Sequence, residues 1–138
     1  MGAKPPGAEE QGRCPREDKR RVGPDAASVV AALRRLRCRF ADEDQLQAML
    51  TAGLCALGFD VEREVPLARG ERIDLVVGRI GIEVKIAGQT SSVARQLRRY
   101  ATSERIDDLV LVTSCPRHAF VPRRIDETPV HVVVLASL

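Results

Sequence analysis

The sequence predicts an α/β fold: a mixed sheet flanked by helices, in the order α-β-β-β-α-β, with one extra strand at the C-terminal end. Three observations carry this. Apolar residues recur at helical spacing between residues 25 and 58, and a second helical pattern follows residue 90. Between these regions, residues 59–67, 72–77 and 80–86 read as three strands in close succession, with room only for short turns. After the later helix, "DDLVLVT" (107–113) and "PVHVVVL" (129–135) are nearly continuous apolar runs, as expected of strands covered on both faces. A three-stranded meander joined through a crossover helix to further strands makes such a mixed sheet.

The elements follow in order. Residues 1–24 are rich in Pro, Gly and mixed charge with little to bury, and a mobile charged tail is expected. A basic amphipathic helix is expected over 25–40, with Asp25 as its N-cap and Val29, Leu33, Leu36 and Phe40 on its apolar side. A separate domain is expected over 41–138. It begins with a helix whose stripe is Leu46, Met49, Leu50, Leu54 and Leu57 and whose natural stop is Gly58. Asp42, Glu43 and Asp44 suit the positive N-terminal end of that helix. Glu43 lies three and seven positions before Leu46 and Leu50, so it points along the buried face. Its two readings are a cap and a site residue. "TSSVARQLRRYA" opens with Thr and Ser as cap residues and predicts a helix near 91–103.

The chain of 138 residues suits one domain, whose core must come from Leu, Ile, Val and Ala because aromatic residues are scarce. No run approaches the roughly 20 apolar residues of a membrane span, and the N-terminus is charged rather than signal-like. A soluble, cytoplasmic protein with no membrane partner is the expectation. Cys14, Cys38, Cys55 and Cys115 are widely spaced and form no C-x-x-C pair, so they read as buried or free thiols. His118 and His131 are isolated, one in a surface loop and one on a strand. The net charge of +3 is uneven: residues 26–40 carry four arginines and no acid, whereas 41–138 carry twelve basic and fourteen acidic groups. The cluster Arg34, Arg35, Arg37 and Arg39 is an electrostatic footprint for a polyanion.

The hairpin "RIDLVVGRIGIEVKI" (72–86) interrupts an apolar pattern with two carboxylates and an ammonium. With Gly78-Arg79 as a type II′ turn, Val77 faces Ile80, Leu75 faces Ile82, and Asp74 falls opposite Glu83. Ile73, Leu75, Val77, Ile80, Ile82, Val84 and Ile86 then share one face; Arg72, Asp74, Val76, Gly81, Glu83 and Lys85 share the other. Opposed side chains have Cβ atoms about 4.5–5.5 Å apart, where two like charges repel. Such a pair needs a cation beside it, and Arg72, Lys85 or a divalent metal would serve. On the following helix Gln96 and Tyr100 lie four apart on the side that packs on the sheet, with Arg95, Arg98 and Arg99 on the outer arc. A helix over the charged strand face encloses those charges, and enclosed charges need partners.

Glu43 on a helix, Asp74 on a strand, Glu83-Val84-Lys85 on the next and Gln96-x-x-x-Tyr100 on a helix together resemble the PD-(D/E)xK nuclease superfamily. The Gln-x-x-x-Tyr addition resembles its RecB-like branch. The likeness covers about residues 41–113, and Ile73 stands where the family has its nominal proline, a position at which the family varies. The resemblance implies a restriction-endonuclease-like core and metal-dependent phosphodiester hydrolysis, with DNA as the partner. Asp74 and Glu83 would ligate Mg²⁺ or Mn²⁺ together with the backbone carbonyl of Val84, and Glu43 would contact a metal-bound water or a second ion. Lys85 would orient or help deprotonate the attacking water, or offset charge on the phosphorane. Gln96 and Tyr100 would orient the substrate. The arginines on both helices would hold neighbouring phosphates without sequence preference.

With one Tyr and no Trp the chain offers no evident base-stacking platform, and no base-reading module is visible. Structure- or end-directed cleavage is therefore expected rather than sequence-specific restriction. Cutting a four-way junction would use a two-fold homodimer, because two symmetric strands are cut. Two other classes fit the same residues: a non-catalytic nucleic-acid-binding or partner-recruiting module on this fold, and a charged α/β domain that binds a protein.

Overall fold

In the computed structural model, residues 23–68 and 70–136 are described. The expected tail, except for Gly23 and Pro24, lies outside them, as does Cys14. Among the described residues are three α-helices: α1 (Ala26–Arg35), α2 (Glu43–Ala56) and α3 (Thr90–Ala101). The strands are β1 (Val61–Ala68), β2 (Glu71–Val77), β3 (Ile80–Lys85), β4 (Asp108–Thr113), β5 (Arg124–Ile125) and β6 (Thr128–Val134), with a 3₁₀ helix at Pro116–Phe120. They form one mixed sheet in the order β1-β2-β3-β4-β6-β5. β1, β2 and β3 are antiparallel neighbours, β3 runs parallel to β4, and β4 runs parallel to β6. The order α2-β1-β2-β3-α3-β4 followed by a further strand is the predicted one. No helix among the described residues is long and apolar enough to cross a membrane.

Local chemistry explains most element ends. Asp25 caps α1 by accepting the Ser28 amide at 2.8 Å. Asp42 caps α2 by accepting the Gln45 amide at 2.8 Å, and Gln45 Oε1 returns a bond to the Ala41 amide at 2.8 Å. Gly58, at φ +96°, ends that helix as expected. Gly78 has φ +62° and Arg79 has no positive φ, as a type II′ turn requires. Arg79 then holds Asp107 with Nε–Oδ2 at 2.8 Å, fastening the hairpin turn to the start of β4.

Two boundaries and two short elements differ from expectation. α1 stops at Arg35, not near residue 40, because Leu36 turns to extended backbone and seats its side chain against Gly53 of α2. A Cβ at Gly53 would lie 2.7 Å from Leu36 Cδ2, so the missing side chain makes the seat. The N-cap of α3 is Gln89 rather than a Thr or Ser, and Thr90 instead donates to the carbonyl of Arg117 at 3.2 Å. β5 and the 3₁₀ helix were not expected, since segments this short carry no periodicity.

Two apolar cores lie on opposite faces of the sheet. One packs Val29 and Leu33 of α1 and Leu46, Leu50 and Leu54 of α2 against Leu75, Val77, Ile82, Val84, Val110 and Val112. The other packs Val93, Leu97 and Tyr100 of α3 against Val76, Leu109, Leu111 and Val130. Ile73 belongs to this second core, which corrects its expected place beside Leu75 and Val77. Its side chain covers Gly81: a Cβ there would meet Ile73 Cδ1 at 2.6 Å, Ile106 Cδ1 at 3.0 Å and Leu109 Cδ2 at 3.3 Å. Gly81→Ala should therefore destabilise the protein by about 1–3 kcal/mol in thermal unfolding. Adding Ile73→Val removes the nearest methyl and should recover part of that loss. Strictly additive effects would show that the two positions do not compete for the space.

Candidate active site at the parting of β2 and β3

The β2–β3 ladder pairs Val77 with Ile80, Val76 with Gly81 and Leu75 with Ile82, and ends there. An unbroken ladder would next oppose Asp74 to Glu83, as the sequence suggests. Instead the strands part, and Asp74 Oδ2 accepts the Val84 amide at 2.8 Å. A side chain thus satisfies a β3 donor that the β2 backbone has left. The irregularity continues into β1, where Glu64 has φ +52° between the pairs Arg63–Leu75 and Val65–Ile73. A non-glycine residue in that region is strained, and such strain gathers at sites.

Glu83 is 3% exposed. Its Oε2 lies 3.5 Å from Lys85 Nζ, and its buried Oε1 has no hydrogen-bond partner among the described residues. Burial pushes the Glu83 carboxyl up to about 8, the Asp74 charge adds to the rise, and Lys85 and the nearby Tyr100 hydroxyl oppose it. Burial likewise raises Asp74 to about 6; the Val84 amide and Lys85 oppose the rise, and Glu64 and Glu43 add to it. Two enclosed carboxylates in mutual repulsion, with Lys85 as the only ion-pair partner of Glu83 among the described residues, hold their protons more tightly than free acids do.

Glu43 resolves its two readings. Asp42 is the cap, and Glu43 is free to reach from the first turn of α2 to β3, where Oε2 accepts the Ile86 amide at 3.2 Å. Glu43, Asp74, Glu83 and Lys85 are thus brought to one end of the sheet by α2, β2 and β3. Gln96 and Tyr100 do form a pair, with Gln96 Nε2 donating to Tyr100 Oη at 2.8 Å. Tyr100 is only 1% exposed, however, and spends its proton on the carbonyl of Arg72 at 3.0 Å. That carbonyl lies two residues before Asp74, so the pair holds β2 where it leaves β3. Burial first, and then the Glu83 charge, raise the Tyr100 phenol. Tyr100 is expected to orient the substrate, and at 1% exposure its hydroxyl acts on the β2 backbone and on Gln96.

The arginines do not form one surface. Arg34, Arg35, Arg37 and Arg39 are exposed on the α1 side of the sheet, and Arg95, Arg98 and Arg99 are exposed on the α3 side. Arg34 donates to the carbonyl of Val132 at 3.3 Å, and Arg99 pairs with Glu71 at 3.0 Å. A shallow hollow lined by Arg34, Leu36, Arg37, Cys38 and residues 133–136 holds none of the four site residues. Cys38 is buried, Cys55 exposed and Cys115 partly buried, all free thiols.

Sequence reasoning missed two features. Glu64 bears electrostatically on Asp74 and pairs with Arg72 at 3.6 Å. Its signal was its place on β1, alongside Asp74 in an antiparallel register. The second is the segment after β4. Ser114 donates its amide to Lys85 O at 3.2 Å, Cys115 Sγ donates to Ile86 O at 3.2 Å, and Arg117 donates to Gly88 O at 3.2 Å. His118, expected in a surface loop, is fully buried: Nε2 donates to Gly88 O at 2.8 Å, and Nδ1 lies 2.6 Å from the Thr113 hydroxyl. A carbonyl only accepts, so the ring carries its proton on Nε2. No sequence pattern marks this fastening.

A divalent cation fits these residues in one respect and is limited in another. The orphaned Glu83 oxygen and two carboxylates with raised proton affinity are what a bound cation would satisfy. Among the described residues no three His, Cys, Asp or Glu side chains gather closely enough to hold an ion by themselves. Asp74 and Glu83 would then be the carboxylate donors, and Mg²⁺ is often held by one or two carboxylates with water completing its shell.

Comparison with protein families, curated proteins and solved structures finds no match to this chain. Function is therefore argued from the site.

Proposed function

We propose that the chain is a metal-dependent nuclease that hydrolyses phosphodiester bonds of DNA, directed by structure or ends rather than by base sequence. One observation carries the reading: a fully enclosed carboxylate, Glu83, keeps an unpartnered oxygen beside Asp74 and Lys85 where the hairpin parts. A purely structural buried acid would be paired on both oxygens, because each orphaned buried oxygen costs stability. The resemblance to PD-(D/E)xK nucleases of the RecB-like branch supports the same assignment.

In this reading Asp74 and Glu83, with the Val84 carbonyl, would hold Mg²⁺ or Mn²⁺. When bound, the cation would neutralise phosphate charge and make a water more acidic. The chain's own groups do the rest. Lys85 is a compact charge beside Glu83 that can orient the attacking water and offset charge on the phosphate. Glu43 tethers the backbone just after Lys85, and the Gln96–Tyr100 pair fixes the backbone just before Asp74. The exposed arginines on either face hold flanking phosphates. Junction substrates would call for a two-fold homodimer.

The test is incubation of single-stranded, duplex, flap and four-way DNA, with RNA counterparts, in Mg²⁺, Mn²⁺ and EDTA. Cleavage of at least one substrate only with metal is expected. Turnover unchanged in EDTA or in Asp74→Asn would refute the proposal. A second reading, a non-catalytic nucleic-acid-binding module, is favoured by the finding that among the described residues no three acids gather closely enough to hold an ion by themselves. Metal-independent DNA binding without turnover on any substrate would establish it.

A further inference from the structure

Aromatic side chains in this protein are few, and most are packed. Tyr100 is buried, and Phe40 and Phe59 pack against the α1–α2 core. Phe120 is 84% exposed. A single exposed apolar side chain is ordinary and carries nothing alone; its surroundings do.

Phe120 ends the 3₁₀ helix, and that helix is rigidly fastened. Pro116 stands in its first turn, His118 is locked between Thr113 and Gly88, and Val121 is 3% exposed beneath it. Arg123 Nη1 braces the turn by donating to the carbonyls of Ala119 at 2.7 Å and Val121 at 3.1 Å. The ring is thus held up on a fixed base, so little freedom remains to be lost on binding. The same segment is bonded to residues 85, 86 and 88, the continuation of the strand that carries Glu83 and Lys85.

Charge decides what could settle there. Residues 114–125 contain Arg117, Arg123 and Arg124 and no acid. All three arginines are exposed, and none makes an ion pair among the described residues. Each spends donors on backbone carbonyls only, which leaves its charge unneutralised. An exposed aromatic ring on a segment that carries three arginines without ion-pair partners is complementary to an unpaired base on a phosphate backbone. A protein socket for Phe120 would have to be acidic as well as apolar.

We propose that Phe120, with Arg117, Arg123 and Arg124, forms a stacking site for an unpaired nucleobase on the segment bonded to the end of the strand that carries Glu83 and Lys85. This rests on the nuclease reading and deepens it, making single-stranded or distorted DNA the preferred substrate. It also revises the expectation that the chain lacks a stacking platform.

The sequence contains no Trp, so Phe120→Trp places a single reporter at the tip. In EDTA, where cleavage is suppressed, its fluorescence should be quenched by single-stranded oligothymidylate and little by blunt duplex. Phe120→Ala should bind the single strand roughly five- to one-hundred-fold more weakly by anisotropy, the span expected for one lost base stack. Phe120→Tyr should retain wild-type affinity, and Phe120→Leu should behave like Phe120→Ala. Thermal midpoints of these variants check that each is folded. Unchanged affinity in Phe120→Ala, or unquenched fluorescence in Phe120→Trp, would overturn the stacking site, including where Phe120 serves a protein partner. Binding without metal is read apart from turnover. Stacking with no cleavage by the wild type would sink the nuclease reading alone; metal-dependent cleavage without stacking would sink this proposal alone.

Discussion

With Lys85 replaced by Ala, Mg²⁺-dependent cleavage should fall about 10²–10³-fold, the loss typical of removing one aimed charge from a reacting centre. The fold should survive, because Lys85 ends β3 and its side chain is 22% exposed. Lys85→Arg keeps the charge but not the compact ammonium, and should recover only part of the rate. Asp74 needs a different substitution. Its Oδ2 accepts the Val84 amide, so Asp74→Ala would orphan that donor as well as remove the charge. Asp74→Asn keeps an acceptor there and removes the charge alone, and it should abolish detectable turnover while leaving the thermal midpoint no lower than that of the wild type. Single-turnover assays on the best substrate of the panel, with circular dichroism as the check on folding, measure both. Wild-type rates in either variant would move the chemistry elsewhere.

The second large effect concerns stability, with the sign opposite to that usual for carboxylates. Glu83 and Asp74 titrate at about 8 and about 6 in the fold, against ordinary values of 4.5 and 3.8. The folded protein therefore keeps protons that the unfolded chain releases. Its stability without metal should be greatest near and below pH 4 from these two groups and should fall as pH rises toward 8. The penalty is on the order of a few kcal/mol at pH 8, treated as one for the coupled pair. Glu83→Gln keeps the shape and removes the charge, so it should raise the metal-free midpoint by roughly 5 °C or more at pH 8. Near pH 4 the two proteins should melt together. Mn²⁺ should stabilise the wild type more at pH 8 than at pH 6, because the ligands must first lose their protons. It should leave Glu83→Gln almost unmoved. A destabilised Glu83→Gln at pH 8 would mean that the carboxylate is already satisfied without metal.

These effects depend on side chains that were legible to different degrees. Asp74, Glu83 and Lys85 stood out because they break the two-residue alternation of an apolar hairpin, and Glu43 because it fell on the apolar side of a helix. Gln96 and Tyr100 were legible as a pair, but not in their bonds: a residue pattern does not reveal that the phenol gives its proton to Arg72. Ile73 was placed on the wrong face because strict alternation assumes an unbroken ladder, and the ladder parts at Asp74. Glu64 and His118 act through contacts with distant segments, which no local pattern records.

Sequence alone determined the kinds and order of the main elements, the caps of α1 and α2, the hairpin turn and which charges interrupt the strands, because periodicity, capping and turn chemistry act within a few residues. Tertiary structure alone decided that β2 leaves β3 at Asp74, that one Glu83 oxygen is enclosed without a partner, and that the arginines divide between two faces. It also decided that Phe120 is exposed on a segment fastened through His118 to Gly88. Burial and hydrogen-bond satisfaction are properties of segments brought together from far apart in the chain, and only the packed sheet and its helices bring them together.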